Sequence, residues 1–245
     1  MTDPEPARRV ALITGASRGL GRVVSEVLAS EGWDLILVAR REGPLVELAR
    51  RLANRTVDVR IVPGDVSDPH LGARLSRIVA EYGRLDLLVN NASELGPSPL
   101  KRLTELSSEE FHRILEVNLL APVALVARLR GYLRVAGGLV VNISSDAAVG
   151  GYPGWGGYGA SKAALDLATR TLANELRSEG IRLVSVDPGD MRTDMHQSAF
   201  PGEDISDRPL PEVTLPFWLW LLSQDRERVT GHRFQAQSER WEVPA

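Results

Sequence analysis

The chain has 245 residues, a formal net charge of −3, 43% hydrophobic and 25% charged residues, and no cysteine. Without cysteine there are no disulfides, thiolate metal sites or cysteine nucleophile, and arginines spread along the whole length form no basic stripe for nucleic acid. The start, Met1 to Pro6, lacks the charged-then-apolar pattern of a secretory signal, and the longest purely apolar run, Phe217 to Leu222, is far shorter than the roughly 18 residues a membrane span needs, so a cytoplasmic location and no membrane partner are expected.

Six continuous apolar runs of strand length follow one another: Val10 to Thr14, Leu35 to Ala39, Asp58 to Val62, Leu85 to Asn90, Leu139 to Ile143 and Arg182 to Val186. Unbroken rather than alternating hydrophobicity suits strands covered on both faces, and the segments between them are long enough for helical crossovers of a parallel sheet. The expected class is α/β. No repeat or low-complexity linker divides the chain, so 1–245 is expected to form a single domain.

Directly after the first run comes Thr14-Gly15-Ala16-Ser17-Arg18-Gly19-Leu20-Gly21, leading into a helix from Arg22. Glycines there let the backbone turn tightly and let a pyrophosphate approach, while the helix start offers unpaired N–H groups and a positive dipole end. The spacing, G-x-x-x-G-x-G, differs from the common G-x-G-x-x-G, so its position after strand one carries the dinucleotide reading. Gly15 to Gly19 also matches a G-x-S-x-G nucleophile elbow, with Ser17 as nucleophile and His196 or His232 as partner; against it, only one strand precedes the motif.

At the end of the second run, Val38-Ala39-Arg40-Arg41 has no carboxylate to accept from a ribose 2′-hydroxyl. Arg40 and Arg18 are placed to grip a 2′-phosphate instead, which favours NADP(H), and Arg41 is expected to be solvated. Further along, Ser107-Ser108-Glu109-Glu110 reads as a capping box opening a long helix through Val126, and Gly32, Gly83 and Gly180 stand where helices should stop. Within that long helix Asn118 lies four residues before Pro122, which has no N–H for the Asn118 carbonyl. A free carbonyl there could hold a water, and Pro122→Ala is expected to restore the bond and slow turnover.

Tyr158-Gly159-Ala160-Ser161-Lys162 carries the chemistry. The chain holds 27 arginines and two lysines, and one of the two shares a helix face with a tyrosine one turn earlier. A compact ammonium beside a phenol is expected to draw the phenol's pKa down toward the operating range of a general acid/base, with Ser145 orienting a carbonyl oxygen against it. The segment 190–211 reads as a long substrate loop. The four histidines, at 70, 112, 196 and 232, show no ligand spacing, so no metal is expected.

These motifs together resemble the short-chain dehydrogenase/reductase family: the turn Thr14 to Gly21, Asn90-Asn91-Ala92, Asn118, Ser145, Tyr158 with Lys162, and Pro188-Gly189 with Thr193. The resemblance covers nearly the whole chain. It implies a doubly wound Rossmann fold with a mostly parallel sheet, and hydride transfer between a nicotinamide and a carbonyl or alcohol carbon. It further implies Tyr158 as acid/base, Lys162 on the ribose, Asn118 in a proton relay, and cofactor contacts from Gly15, Ser17, Arg18, Gly19, Leu20, Gly21, Arg40, Asp65, Val66, Asn91, Ala92, Tyr158, Lys162, Pro188, Gly189 and Thr193.

Ser93, Leu95, Ala147, Trp155, Met191 and Met195 are expected around the nicotinamide, making a mostly apolar pocket for a small carbonyl or alcohol substrate. Trp155 could equally brace its own turn. Phe217 to Leu222 is expected in the core or a subunit interface. A homodimer or homotetramer is implied, packed through the Tyr158 helix. Two residues depart from the family pattern: Ser93 where glycine is more frequent, and Phe234-Gln235-Ala236-Gln237 where many members carry a glycine pair. A 3-oxoacyl-carrier-protein reductase and a non-catalytic NADP(H)-sensing regulator stand as alternatives.

Overall fold

The computed structural model describes residues 8–243, so the Met1 to Pro6 segment lies outside the described residues. The chain runs β1 (Val10–Thr14), α1 (Gly19–Ser30), β2 (Asp34–Ala39), α2 (Glu42–Leu52), β3 (Val59–Pro63), α3 (Pro69–Tyr82), β4 (Leu87–Asn90), α4 (Ser108–Leu115), a π turn (Glu116–Leu120), α5 (Ala121–Ala136), β5 (Leu139–Ile143), α6 (Ala147–Gly150), α7 (Gly156–Glu175), β6 (Arg182–Asp187), α8 (Asp194–Ala199), α9 (Leu215–Ser223), α10 (Arg226–Val229) and β7 (Arg233–Gln235). Every strand joins one sheet in the order β3-β2-β1-β4-β5-β6-β7, and every pairing is parallel.

Parallel strands need both faces covered, and the side-chain alternation shows how. On one face Ala11, Ile13, Leu35, Leu37, Val89 and Val141 meet Val24 and Leu28 of α1, Leu45 and Leu48 of α2, and Phe217, Trp218 and Leu221 of α9. On the other, Val10, Leu12, Ile36, Val38, Leu88 and Val140 meet Leu75 and Val79 of α3 and Leu125, Leu129 and Leu133 of α5. The 217–222 run is therefore core on one side, while Leu219 is exposed.

The runs at 10–14 and 139–143 coincide with β1 and β5, those at 35–39 and 182–186 differ by a residue at one end, and that at 58–62 is shifted by one residue from β3. The run from Leu85 enters the sheet only at Leu87, because the Leu85 N–H donates to the Tyr132 carbonyl at the end of α5. Three features depart from expectation. The long helix from Ser108 is interrupted at 116–120, where the Ala121 N–H reaches back five residues to the Glu116 carbonyl. The 190–211 segment is partly helical, since the Thr193 hydroxyl accepts from the His196 N–H and caps α8. A seventh strand, three residues long, closes the sheet edge. Among the described residues no helix is long and apolar enough to cross a membrane.

Candidate active site

The chain reverses direction across the sheet at β1, which pairs with β2 on one side and β4 on the other, and the crevice outside the C-terminal strand ends there is where such sheets bind ligands. A cavity of about 1420 Å³ occupies that place. Its walls come from the turn after β1, the loops after β2 to β6, and the start of α7.

The glycine turn forms the cavity floor. Gly15 has φ +65°, and a Cβ there would sit 2.7 Å from the Asn91 Nδ2; on Gly21 it would sit 2.3 Å from the Gly15 carbonyl oxygen. Only glycine fits either position, so the turn packs tightly on itself and against Asn91. Arg18 stands as N-cap of α1 without a side-chain cap, leaving the helix start to the cavity. Asn91 braces this floor, donating from Nδ2 to the carbonyls of Thr14 (2.9 Å) and Gly15 (3.1 Å), while the Thr14 hydroxyl accepts from the N–H groups of Asn91 and Ala92. The Asn91 amide is thus committed to the scaffold.

Gly15, Ser17, Arg18, Gly19, Leu20, Arg40, Asp65, Val66, Asn91, Ala92, Pro188, Gly189 and Thr193 all line the cavity, and Gly21 sits behind the turn. The two cations expected at a 2′-phosphate each face a carboxylate: Arg18 contacts Asp194 of α8 at 2.6 Å and Arg40 approaches Glu94 at 3.7 Å. Arg41, expected to be solvated, is exposed at the cavity's edge. Asp65 accepts from the Ser67 N–H and hydroxyl and from Arg113 at 2.5 Å; although burial opposes it, these bonds hold its carboxyl below the usual range. Arg113 was not foreseen, and its helical position before Asn118 carries no signal distinguishing it from a surface arginine.

At the opposite end Tyr158 and Lys162 lie on one face of α7, 8% and 1% exposed, with the Lys162 Nζ 5.5 Å from the centre of the phenol ring. Nζ donates to the Ile143 carbonyl at the end of β5 at 2.7 Å. The Ser145 hydroxyl donates to Asp146 at 3.0 Å and accepts from the Ala147 N–H.

Here the expectation that Lys162 lowers the Tyr158 pKa needs correction. Burial pushes the phenol up to about 12, opposed by the Ser93 and Ser145 hydroxyls and reinforced by Asp187 and Asp146. Lys162 is pushed down to about 8 by the same burial, with Asp166 opposing. Burial is the largest cause in both groups and disfavours the charged form of each.

Asn118 is wholly buried, and its side chain makes four bonds: Oδ1 accepts from the Glu94 N–H (2.7 Å) and the Ser93 hydroxyl (3.1 Å), and Nδ2 donates to the Glu94 carbonyl (2.8 Å) and the Ser161 hydroxyl (2.9 Å). It therefore ties the loop after β4 to α7. Ser93, the departure from the family's glycine, gains a role, since its hydroxyl donates to Asn118.

Leu95, Ala147 and Tyr158 pack with Trp155, Met195, Ala199 and Phe200 in a small apolar cluster beside the phenol. Trp155 sets its edge against Tyr158, with ring centres 5.8 Å apart. Met191 lines the cavity but packs into the main core with Phe217. Phe200 was missed; it closes the apolar cluster from the end of α8. Ser17 hydrogen-bonds no histidine among the described residues, so the nucleophile-elbow alternative has no partner here.

Residues 9–204 match the family model of short chain dehydrogenases. General stress protein 39 of Bacillus subtilis is 34% identical over 91% of this chain and 81% of its own. A short chain dehydrogenase from Salmonella enterica serovar Typhi superposes with a TM-score of 0.87 at 32% identity, covering 96% of this chain and all of that one. An alcohol dehydrogenase from the archaeon Thermococcus sibiricus, complexed with 5-hydroxy-NADP, superposes at 0.82 and 32% identity over 93% and 95%. With its parallel sheet, glycine turn and buried tyrosine–lysine pair, this chain belongs to the short chain dehydrogenase family of oxidoreductases.

Proposed function

We propose that the chain is an NADP(H)-dependent reductase of small apolar carbonyl compounds, with Tyr158 as general acid. The observation that carries this reading is the buried Tyr158–Lys162 pair at the α7 end of the cavity, 5.5 Å from Nζ to the phenol centre. The cofactor is supported by the glycine cradle under the open start of α1, by the lack of a carboxylate after β2, and by Arg18 and Arg40 on the cavity wall. Bound there, a reduced nicotinamide supplies the hydride for the carbonyl carbon.

The chain's residues handle the oxygen. Ser145 and Tyr158 are placed to hold the carbonyl oxygen between two hydroxyls, and as negative charge grows on it the phenol gives up its proton. With the phenol pKa near 12, Tyr158 is protonated throughout the neutral range, which favours reduction over oxidation there. Lys162 faces the remaining phenolate and is placed to reach the ribose. Leu95, Trp155, Met195 and Phe200 exclude water around the reacting carbon. Asn118 supports the relay by holding Ser93 and α7 in place.

NADPH oxidation should be followed against a panel of ketones, aldehydes and acyl thioesters, with Tyr158→Phe alongside. The wild type is expected to reduce apolar ketones or aldehydes, and Tyr158→Phe to lose at least about a hundredfold in kcat. Retained turnover in Tyr158→Phe would remove the acid assignment, and binding of NADPH without any turnover would favour a cofactor sensor. We also propose a homodimer or homotetramer through α7, whose Ala160, Ala163 and Leu167 are exposed; sedimentation as a monomer would exclude it.

A further inference from the structure

Behind the cavity wall, away from any position that could touch substrate, the Arg233 guanidinium joins three other segments to β7. Its Nε donates to Asp166 on α7 at 3.1 Å; its Nη2 donates to Asp187 at the end of β6 at 3.1 Å and to the backbone carbonyl of Ser145 at 2.9 Å. Asp166 also accepts from the Ser144 hydroxyl at 2.8 Å, and the other oxygen of Asp187 accepts from the Gly189 N–H at 3.0 Å. The side chains of Asp187 and Asp166 are only 4% and 13% exposed. Two buried carboxylates would repel one another and the substrate oxygen's developing charge, and one planar fork meets three acceptors in different directions where an ammonium would not span them.

We propose that Arg233 is a positioning residue for the reaction: it clamps the Ser145 backbone against Asp187 and Asp166, fixing the serine hydroxyl opposite Tyr158 while neutralising the carboxylates behind the catalytic helix. The inference rests on the reductase reading above and adds to it a residue of β7, the stretch that departs from the family's pattern. The charged groups around the catalytic pair are Lys162 and Asp166 from α7, Asp146 after β5, Asp187 and Asp190 on and after β6, Glu94 after β4 and Arg233 from β7. Arg233 is the cation that contacts two of those carboxylates.

The chain's lysine count makes the test direct. With only Lys101 and Lys162 present, protein labelled with carbon-13 at lysine Cε gives two NMR signals, and the buried one reports the electrostatics of the site without any substrate. In Arg233→Met, or Arg233→Gln should the methionine variant fail to fold, the uncompensated Asp166 and Asp187 are expected to raise the Lys162 titration midpoint by about one pH unit. Arg233→Lys should leave that midpoint near the wild-type value.

The kinetic arm uses the best ketone of the panel. The methionine and glutamine variants are expected to lose about tenfold or more in kcat, with KM for NADPH within about twofold, and Arg233→Lys to recover only part of the loss because its geometry differs. A Lys162 midpoint unmoved in a folded Arg233→Met or Arg233→Gln would overturn the proposal, as would full kcat in those variants. Binding of NADPH by the wild type without turnover of any compound in the panel would sink the reductase reading instead, so the two failures separate.

Discussion

Lys162 is a buried ammonium with a single hydrogen-bond partner among the described residues, the Ile143 carbonyl, although its head group carries three donors. Its pKa falls from 10.5 to about 8 because burial disfavours the charge. Between those values the unfolded chain binds more protons than the folded one, so stability rises with pH across that window, and below pH 8 the whole penalty is present. Removing the amine should therefore stabilise the cofactor-free protein. Lys162→Met is expected to gain about 1–2 kcal/mol at pH 7 after subtracting the lost Ile143 bond, or roughly 3–6 °C in Tm, while reduction is abolished. The gain should shrink as pH approaches 10.5. Melting curves at pH 7 and pH 10 decide it: a lower Tm of the variant at pH 7 would show that the ammonium contributes to stability, and a gain that ignores pH would show that its charge is not the cost. The same residue shows what was legible in the chain. One lysine placed a helical turn after a tyrosine identified the pair, but the sign of the tyrosine's pKa shift depends on how dry the pocket is, and burial is a property of the whole fold. Arg113 and Arg233 were invisible for a related reason: among 27 arginines, nothing local marks these two, which reach Asp65 on the cavity wall and Asp166 and Asp187 behind it.

The capping box at Ser107 and Glu110 and the interruption near Pro122 were both readable, yet the form of the interruption was not. A proline removes one N–H and is compatible with a plain kink, whereas the chain inserts a π turn over 116–120. The four side-chain bonds of Asn118 explain the choice, because the extra residue in the turn turns that amide toward the Glu94 backbone and Ser161. Magnitudes then revise the expectation for Pro122→Ala. Restoring one backbone bond returns about 1 kcal/mol, whereas unwinding the π turn would give up four bonds of similar worth, two of them to the half-buried backbone of Glu94 in the loop after β4. The π turn should persist, and Pro122→Ala should change kcat by less than about threefold. Asn118→Ala should instead lose at least about tenfold in kcat and lower Tm by several degrees, since it leaves the Glu94 N–H without its partner and takes one bond from the Ser161 hydroxyl. If Pro122→Ala proved as damaging as Asn118→Ala, the proline rather than the amide would be holding the turn. β7 was overlooked because three residues, one of them Arg233, give too short a run to stand out from a loop.

At the scale of the molecule, the parallel α/β sheet was legible because buried parallel strands must be continuously apolar, and six such runs punctuated by glycines leave few other arrangements. The pairing of loops across the cavity was not legible, since it depends on strand order. That order brings the turn after β1 and the loops after β2, β3, β4 and β6 around one crevice, so a dinucleotide lying there would touch segments from Gly15 to Thr193 and stabilise the fold as a unit. At a hundredfold excess over Kd, binding adds about 2.7 kcal/mol, which for a chain of this length corresponds to roughly 5–10 °C in Tm. NADPH is expected to give a shift of that order and NADH, at the same concentration, a clearly smaller one, because Arg40 and Arg18 have no phosphate to meet on the ribose of NADH. Both arginines are drawn to carboxylates in the free protein, Arg18 to Asp194 and Arg40 to Glu94, and exchange of those exposed pairs for a phosphate sacrifices little. Arg40→Ala should therefore bring the NADPH shift down toward that of NADH and leave the NADH shift almost unchanged. Thermal melts of both proteins with each dinucleotide read this directly: equal shifts in the wild type, or a preference that survives Arg40→Ala together with Arg18→Ala, would mean that the 2′-phosphate is recognised elsewhere or not at all.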